Sequence, residues 1–459
     1  MKTRTAILAL AGICVAAASS HAASMKEAVR QAVMENPTGR ADAANIRAVA
    51  GELKQSQTAF APTVDVFGDA GYQRRRSPTA STVSTNRDDT LFTREIGVRA
   101  SLLLFDGLER ANIVYRNAAR LDGATYHLLS TSETLALNAV EAYIDVVRHQ
   151  LLMAETRTNI QRHNAILSQI RERVSGGKSP VSDRTQIEER VFAAKAVAVE
   201  VQNALQDAEA KYRRVTGHSP SGVMRIPRIP GLPKSKKSFV WESVANNYSI
   251  KQAQKAIREF EYEREASRAG ILPRVSLDGR ASKAANRSGT TGRESDLYVG
   301  LTLSWRLYDG GLTNARERTS AERISEAEFR YDAAVRDVTE LAENSWNSRV
   351  NGSKRNSLLR SQVNTNESIV ESYRSEYILS KRSLLDVLDA ERARFNAKFQ
   401  QISAQASANF ASFRMLATMS KLAAYFGVSA SALARTPDVE EQLTDSTVPI
   451  FDITIEPLQ

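Results

Sequence analysis

An internal duplication constrains this chain more than any other feature. The segment Glu95-Ile96-Gly97-Val98-Arg99-Ala100-Ser101-Leu102-Leu103-Leu104-Phe105-Asp106-Gly107 returns as Leu297-Tyr298-Val299-Gly300-Leu301-Thr302-Leu303-Ser304-Trp305-Arg306-Leu307-Tyr308-Asp309-Gly310. In each copy a period-two alternation ends in aromatic-Asp-Gly and gives way to a long helical pattern. The step from Asp106 to Asp309 is 203 residues, and the same step carries Phe192-Ala193-Ala194-Lys195 onto Phe395-Asn396-Ala397-Lys398. Two copies of a strand pair followed by long helices leave few architectures. The pattern reads as a pseudo-repeated barrel carried on a helical stalk.

The N-terminus sets the compartment. Lys2 and Arg4 precede an apolar run from Ala6 to Ala18, and Ser20-His21-Ala22 supplies a small-x-small cleavage pattern. Residues 1–22 therefore read as a secretory signal peptide, cut after Ala22 or Ala23. The run is too short for a membrane anchor. The single cysteine, Cys14, leaves with it, so the mature chain has no thiol to oxidise or lipidate. Beyond Ala22 nothing approaches the ~20 apolar residues of a spanning helix, which leaves a soluble secreted chain or an inserted β-barrel. The net charge of +10 falls to +8 without Lys2 and Arg4. Acids and bases are interspersed, and no basic stripe with aromatics appears, which together with secretion argues against nucleic acid as a partner. The one dense basic run, Arg74-Arg75-Arg76, reads as a solvated loop.

The first repeat covers 23–216. It opens with a helix from about Ser24 to Thr58, broken at Asn36-Pro37, where proline restarts a helix. The second covers 239–426, with Asn247 and Pro273 matching Asn36 and Pro62. Strands are expected at about 62–73 and 93–105, then at 273–283 and 296–308. Each is about as long as a tilted membrane strand. The polar stretch Gln73 to Arg94 reads as a hairpin loop enlarged in the first copy. Tyr72, Phe105, Trp305 and Tyr308 at the strand ends resemble an aromatic girdle. Alternation alone fits a soluble hairpin pair equally well, and four strands cannot close a barrel.

After each Asp-Gly the pattern turns helical. Leu108 to Val174 lacks proline, and a helix of that span is on the order of 100 Å long. Leu137, Val140, Ile144, Val147 and Leu151 step by three and four, as a coiled-coil seam does. The matching positions of the second copy (Val335, Val338, Leu341, Trp346, Val350) sit in a more polar context and predict a wetter face. Residues 217–238, rich in proline, form a connector, and 427–459 an irregular C-terminal segment. Both are expected at one equatorial level of the stalk.

Together these features resemble the TolC-like outer-membrane efflux and type I secretion proteins, over essentially the whole mature chain. The most specific segment is Tyr377-Ile378-Leu379-Ser380-Lys381-Arg382-Ser383-Leu384-Leu385-Asp386-Val387-Leu388-Asp389-Ala390, which looks like that family's turn between its last two coiled-coil helices, with serine at Ser380 where the family usually has glycine. The first copy offers Ser179-Pro180-Val181-Ser182-Asp183, with Asp183 matching Asp386. The resemblance implies an α+β membrane protein. Three chains would build one twelve-stranded outer-membrane β-barrel, four strands from each, continued by a long periplasmic α-helical coiled-coil barrel. It implies a homotrimer in contact with outer-membrane lipid, serving a periplasmic adaptor (a membrane fusion protein) and an inner-membrane transporter of the ABC or RND type. It also implies a gate lock in which Tyr377 and Arg382 pair with Asp183 on the neighbouring helix.

The tip has chemistry of its own. Asp386 and Asp389 are three residues apart and share a helix face. If that face lines a three-fold closed end, the carboxylates form a periplasmic aperture ring that attracts cations and repels anions. The plain reading is a solvated helix face. Other signals fail. Gly177-Lys178-Ser179 lacks the glycine and strand of a phosphate loop. The five histidines show no metal spacing, and no serine elbow or other catalytic, metal or cofactor site is visible. The leading reading is thus a passive exit duct gated at its tip. The alternative is a periplasmic coiled-coil adaptor or scaffold that never enters the membrane.

Overall fold

The computed structural model describes residues 24–76, 88–222, 224–287 and 291–435. The signal peptide expected at 1–22 lies outside these residues, as does the C-terminal stretch from 436. Alternation builds four strands: β1 (Thr63–Arg76), β2 (Asp88–Phe105), β3 (Arg274–Ala285) and β4 (Arg293–Ser304). They form one antiparallel sheet in sequence order. The register aligns side chains in rows, such as Val64, Ala100, Gly279 and Val299, then Val66, Val98, Ala281 and Leu297. Because successive residues alternate faces, one face collects Val64, Val66, Tyr72, Ile96, Val98, Leu297, Val299, Leu301 and Leu303, all exposed in the single chain. The opposite face carries Asp65, Asp69, Glu95, Arg99, Asp278 and Arg280. There the Phe67 ring lies across Gly97, between the guanidinium groups of Arg99 at 5.4 Å and Arg280 at 4.7 Å.

Three expectations are corrected at the strand ends. The described ends of the stretch expected as a hairpin loop are ladder, since Gln73, Arg74, Arg75 and Arg76 pair with Leu91, Thr90, Asp89 and Asp88. The arginine run is therefore strand, because backbone pairing continues wherever a partner faces it, whatever the side chains. Residues 77–87 lie outside the described set. β4 stops at Ser304, opposite Arg274, because Pro273 ends the partner strand and has no N–H to offer. Trp305 and Tyr308 thus follow the strand, with the Trp305 indole donating to the Ile271 carbonyl at 3.1 Å. Tyr72 stands 80% exposed on the apolar face, with its ring edge-on to Phe92, and Phe105 ends β2.

The helices are α1 (Met25–Met34), α2 (Pro37–Thr58), α3 (Glu109–Ser175), α4 (Val181–Thr216), α5 (Lys236–Asn246), α6 (Tyr248–Arg268), α7 (Leu312–Ile378), α8 (Leu384–Thr418), α9 (Leu422–Tyr425) and α10 (Ser431–Ala434). Both long helices, α3 and α7, have 67 residues. The repeated Asp-Gly explains how they start. Asp106 accepts from the Arg110 amide at 3.1 Å and its guanidinium at 2.7 Å, while Gly107 and Leu108 take positive φ. Asp309 accepts from the Thr313 amide at 2.8 Å and its hydroxyl at 2.6 Å, past Gly310 and Gly311 at positive φ. Each carboxylate satisfies helix donors that would otherwise lack partners.

The chain divides into two compact units. One joins residues 1–36, 135–231 and 347–413. In it the expected seam of α3 is buried at Val140, Ile144 and Val147, but the last position passes from Leu151, 51% exposed, to Leu152, 3% exposed. A straight helix drifts against a strict seven-residue repeat, which moves the buried stripe by one position. In this unit the Tyr143 hydroxyl anchors the connector at Arg225, and the Asn36 side chain donates to the Val215 carbonyl at 3.1 Å. The other unit joins 37–134, 232–346 and 414–459 and holds the sheet. There Asn247, the counterpart of Asn36, donates to the Thr418 carbonyl at 3.1 Å, so the duplication repeats a contact as well as a pattern. In the second copy Leu341 is 44% exposed, in keeping with a wetter face.

Glu133 is buried in the sheet-bearing unit and accepts from the amides of Leu422 at 2.9 Å and Ala423 at 3.2 Å, at the start of α9. Burial pushes its carboxyl up to about 7, against those donors. A carboxyl raised on folding stabilises fully below its ordinary value and loses that contribution as pH rises through the raised one. Glu133→Gln is therefore expected to flatten the stability profile between pH 4.5 and 7, by up to roughly 3 kcal/mol, as read by chemical denaturation at both ends of that window. In the sheet, a Cβ on Gly97 would stand 2.6 Å from the Phe67 ring and 2.7 Å from the Ala281 carbonyl oxygen. Gly97→Ala is expected to destabilise by about 1–3 kcal/mol, visible as a lower melting temperature in detergent.

Candidate functional site at the helix tips

The two helix reversals are built alike. α3 closes with the Gly177 amide on the Val174 carbonyl at 3.0 Å and the Lys178 amide on the Arg173 carbonyl at 2.8 Å. α7 closes with the Ser380 amide on Tyr377 at 2.9 Å and the Lys381 amide on Glu376 at 2.9 Å. Both are Schellman-type ends, which need a left-handed residue after the helix. Gly177 supplies it at φ 68° without strain, whereas Ser380, its counterpart, adopts φ 59° with a Cβ attached. Below the turns Ile166, Leu167, Ile170, Ile187, Val191, Leu384, Val387 and Leu388 form one buried cluster drawn from α3, α4 and α8. Val174, Tyr373 and Tyr377 pack against it.

The restart of each following helix differs between copies. Ser383 caps α8 by a reciprocal box. Its hydroxyl accepts from the Asp386 amide at 3.2 Å, and the Asp386 carboxylate takes the Ser383 hydroxyl at 2.7 Å and amide at 3.3 Å. In the first copy Pro180 occupies the cap and has no side-chain bond to give. Asp183, half-buried, is left without a side-chain partner among the described residues. Asp389 lies 3.3 Å from Arg392, with both side chains well exposed. Both carboxylates expected to form the ring thus have local work: Asp386 holds the first turn of α8, and Asp389 pairs along the helix.

Within one chain the expected lock residues make other contacts. Within one chain Arg382 binds Glu376 at 2.6 Å and stacks 3.8 Å from the Tyr373 ring centre, rather than meeting Asp183. The Glu376 carboxylate holds the Arg382 guanidinium above its usual range. The Tyr377 hydroxyl is buried without a hydrogen-bond partner among the described residues, while Arg173 lies over its ring at 5.1 Å.

Sequence reasoning missed a buried charge network one turn deeper. Glu391, fully buried, contacts Arg374, Arg394 at 3.2 Å and Arg162 at 3.6 Å. Arg394, 4% exposed at its side chain, reaches Glu155 at 3.0 Å and Glu367 at 3.7 Å. Arg162 also binds Glu367 at 2.6 Å. Burial pushes the Glu367 carboxyl up, yet the Arg162 bond and the nearby arginines outweigh it and leave it below the usual range. Three acids and three bases thereby tie α3, α7 and α8 together. The signal was the Glu391-Arg392-Ala393-Arg394 run inside a mostly apolar helix, where charged residues at i and i+3 must find partners.

The family model described as Outer membrane efflux protein matches residues 28–218 and 241–418. The outer membrane efflux protein BepC of Brucella suis is 22% identical over 424 residues, 91% of this chain and 90% of its own length. The outer membrane protein TolC of Escherichia coli is 22% identical over 409 residues, 84% of this chain and 80% of its own. The alkaline protease secretion protein AprF of Pseudomonas aeruginosa is 25% identical over 344 residues, 71% and 70% of the two chains. Among solved structures, the outer-membrane channel OprN superposes with a TM-score of 0.75 at 19% identity, covering 86% of this chain and 89% of its own. VceC of Vibrio cholerae gives 0.74 at 14% identity, covering 86% and 96%.

Two outcomes are expected at the tip. Glu391→Ala, which strands buried arginines, should cost about 3–5 kcal/mol, and pairing it with Arg394→Met should recover part of that loss in denaturation experiments. Ser380→Gly, which keeps the turn and removes the Cβ conflict, should stabilise by about 1 kcal/mol, read as a raised melting temperature.

Proposed function

Because the chain belongs to the outer membrane efflux protein family, we propose that it is the exit duct of an efflux pump or type I secretion system. It is no enzyme: it supplies a passive path, and an inner-membrane transporter of the ABC or RND type supplies the energy through a periplasmic adaptor. One observation carries this reading. A four-stranded sheet exposes a whole face of Val, Leu, Ile and Tyr, opposite a charged face, and leaves β1 and β4 as edges. In water such a face and such edges promote aggregation. In lipid they become sound once further copies complete the ring, since only closed barrels satisfy every strand. Three copies with four strands each give the twelve-stranded ring that the resemblance implies. The alternative, a periplasmic adaptor or scaffold, would leave the apolar face in water. Extraction decides: a heat-modifiable trimer in outer-membrane detergent fractions is expected, and release with soluble periplasmic protein would overturn the duct.

The helical tips form the gate and the docking surface in this reading. Asp183 and the Tyr377 hydroxyl, unpartnered among the described residues of a single chain, become partners when neighbouring helices close, and Arg382 exchanges Glu376 for Asp183. Each tie is worth about 1 kcal/mol or less at such exposure, weak enough for partner contacts to open. Asp183→Ala combined with Arg382→Ser is expected to raise single-channel conductance in planar bilayers, and unchanged conductance would count against the lock. Asp386→Asn with Asp389→Asn, a pair that preserves most of the helix cap, should weaken block by divalent and trivalent cations. Unaltered block would place those carboxylates off the pore axis.

A further inference from the structure

The apolar face of the sheet changes character at the end remote from the long helices. Its rows stay apolar from Val275 and Leu303 up to Val66, Val98, Ala281 and Leu297. From the Val275 row to the Lys283 row the strand advances about 27 Å, or roughly 20 Å along the membrane normal at a tilt near 40°, somewhat short of the ~25 Å apolar band of membrane barrels. The next row is Gly68, Ile96, Lys283 and Ser295, and the one after it Ala70, Arg94, Ala285 and Arg293. Three cations therefore stand on the lipid-facing side just where the hydrocarbon ends. Tyr72 and Phe92 follow at the girdle position.

These cations differ from those on the opposite face. There Arg280 shares Glu95 with Arg287, which follows the end of β3, at 2.5 Å and 3.4 Å. Arg94, Lys283 and Arg293 are exposed, and their side chains have no hydrogen bond or ion pair among the described residues. They border a recess of about 460 Å³, together with Ile96, Ala285 and Ser295. Glu95 and Glu294 also border it, from the row whose side chains alternate to the opposite face. Arg94 and Lys283 lie on the central strands β2 and β3, so pairing of β1 and β4 with further copies leaves them uncovered.

We propose that Arg94, Lys283 and Arg293 form a binding site for the phosphate groups of an anionic membrane lipid in the outer leaflet, which in an outer membrane is a phosphorylated glycolipid. The recess receives the headgroup, and the rows below it receive the acyl chains. A guanidinium takes phosphate oxygens bidentately, and Ile96 supplies apolar contact where the chains begin. The site rests on the barrel reading above but not on the gate, the exported cargo or the transporter.

The test uses the full chain purified in detergent and three probes: diphosphoryl lipid A, the same lipid stripped of phosphate, and pyrophosphate alone. Affinity is read by native mass spectrometry across a salt series. Wild type is expected to bind the diphosphoryl lipid on the order of a hundredfold more tightly than the Arg94→Gln, Lys283→Gln, Arg293→Gln triple variant, with affinity falling as salt rises. Arg94→Lys with Arg293→Lys should retain most of it. Equal binding by the triple variant, or equal binding of the phosphate-free lipid, would overturn the site. So would pyrophosphate binding as tightly as the lipid, which would mark a free-anion site. Loss of the oligomer in the triple variant would report on the barrel instead. Lys283→Gln alone, expected to weaken binding about fivefold, then decides the matter, and no loss in that variant overturns the proposal.

Discussion

A strand that crosses hydrocarbon must find a partner for every N–H and C=O along its length, because no water is there to take them. The rest of this molecule follows from that demand. The sheet satisfies it internally for β2 and β3 and leaves it open at β1 and β4. Side-chain alternation then sorts the two faces without further instruction, apolar residues outward and charges inward. The close approach of Phe67 over Gly97 shows how the inner face is kept dense where the two arginines flank the ring. The Asp-Gly that ends each strand pair serves the same economy of hydrogen bonds, turning a strand end into a capped helix within a few residues.

The two copies share a backbone plan and divide the chemistry. Gly177 and Ser380 make the same turn, and Asp183 and Asp386 occupy the same helical position. What separates them is one capping residue. Ser383 engages its carboxylate, whereas Pro180 cannot, which frees Asp183 for a partner outside its own turn. The buried charges of Glu391 and Arg394 lie on the second copy alone, and fasten α8 to α3 and α7 beneath the turns. Such networks give little net stability against an apolar core of similar volume, although breaking one by removing a single partner is costly.

Much of this could be read from the chain. The duplication, the strand–helix order, the break at Asn36-Pro37 and the two tips were legible because each rests on local pattern. Strand ends were not, since β4 stops where Pro273 ends its partner and β1 continues while Asp88 faces it. The seam shifted from Leu151 to Leu152 through the mismatch between helix and heptad. The Ser383–Asp386 box is legible as Ser-x-x-Asp, although the spacing of Asp386 and Asp389 on one helix face draws the aspartate to another reading. The charge network was hidden by distance: Arg162 meets Glu367 and Glu391 across some two hundred residues, and no local spacing announces such pairs.

Ser380 has a mechanical consequence. Its left-handed backbone is held against the preference of any side-chain-bearing residue, so the α7–α8 turn begins from a raised ground state, while the α3–α4 turn at Gly177 does not. Two hinges of equal shape therefore differ in compliance. The one carrying Arg382 and the paired carboxylates has less far to climb before it yields, which biases where a load on the tip is relieved.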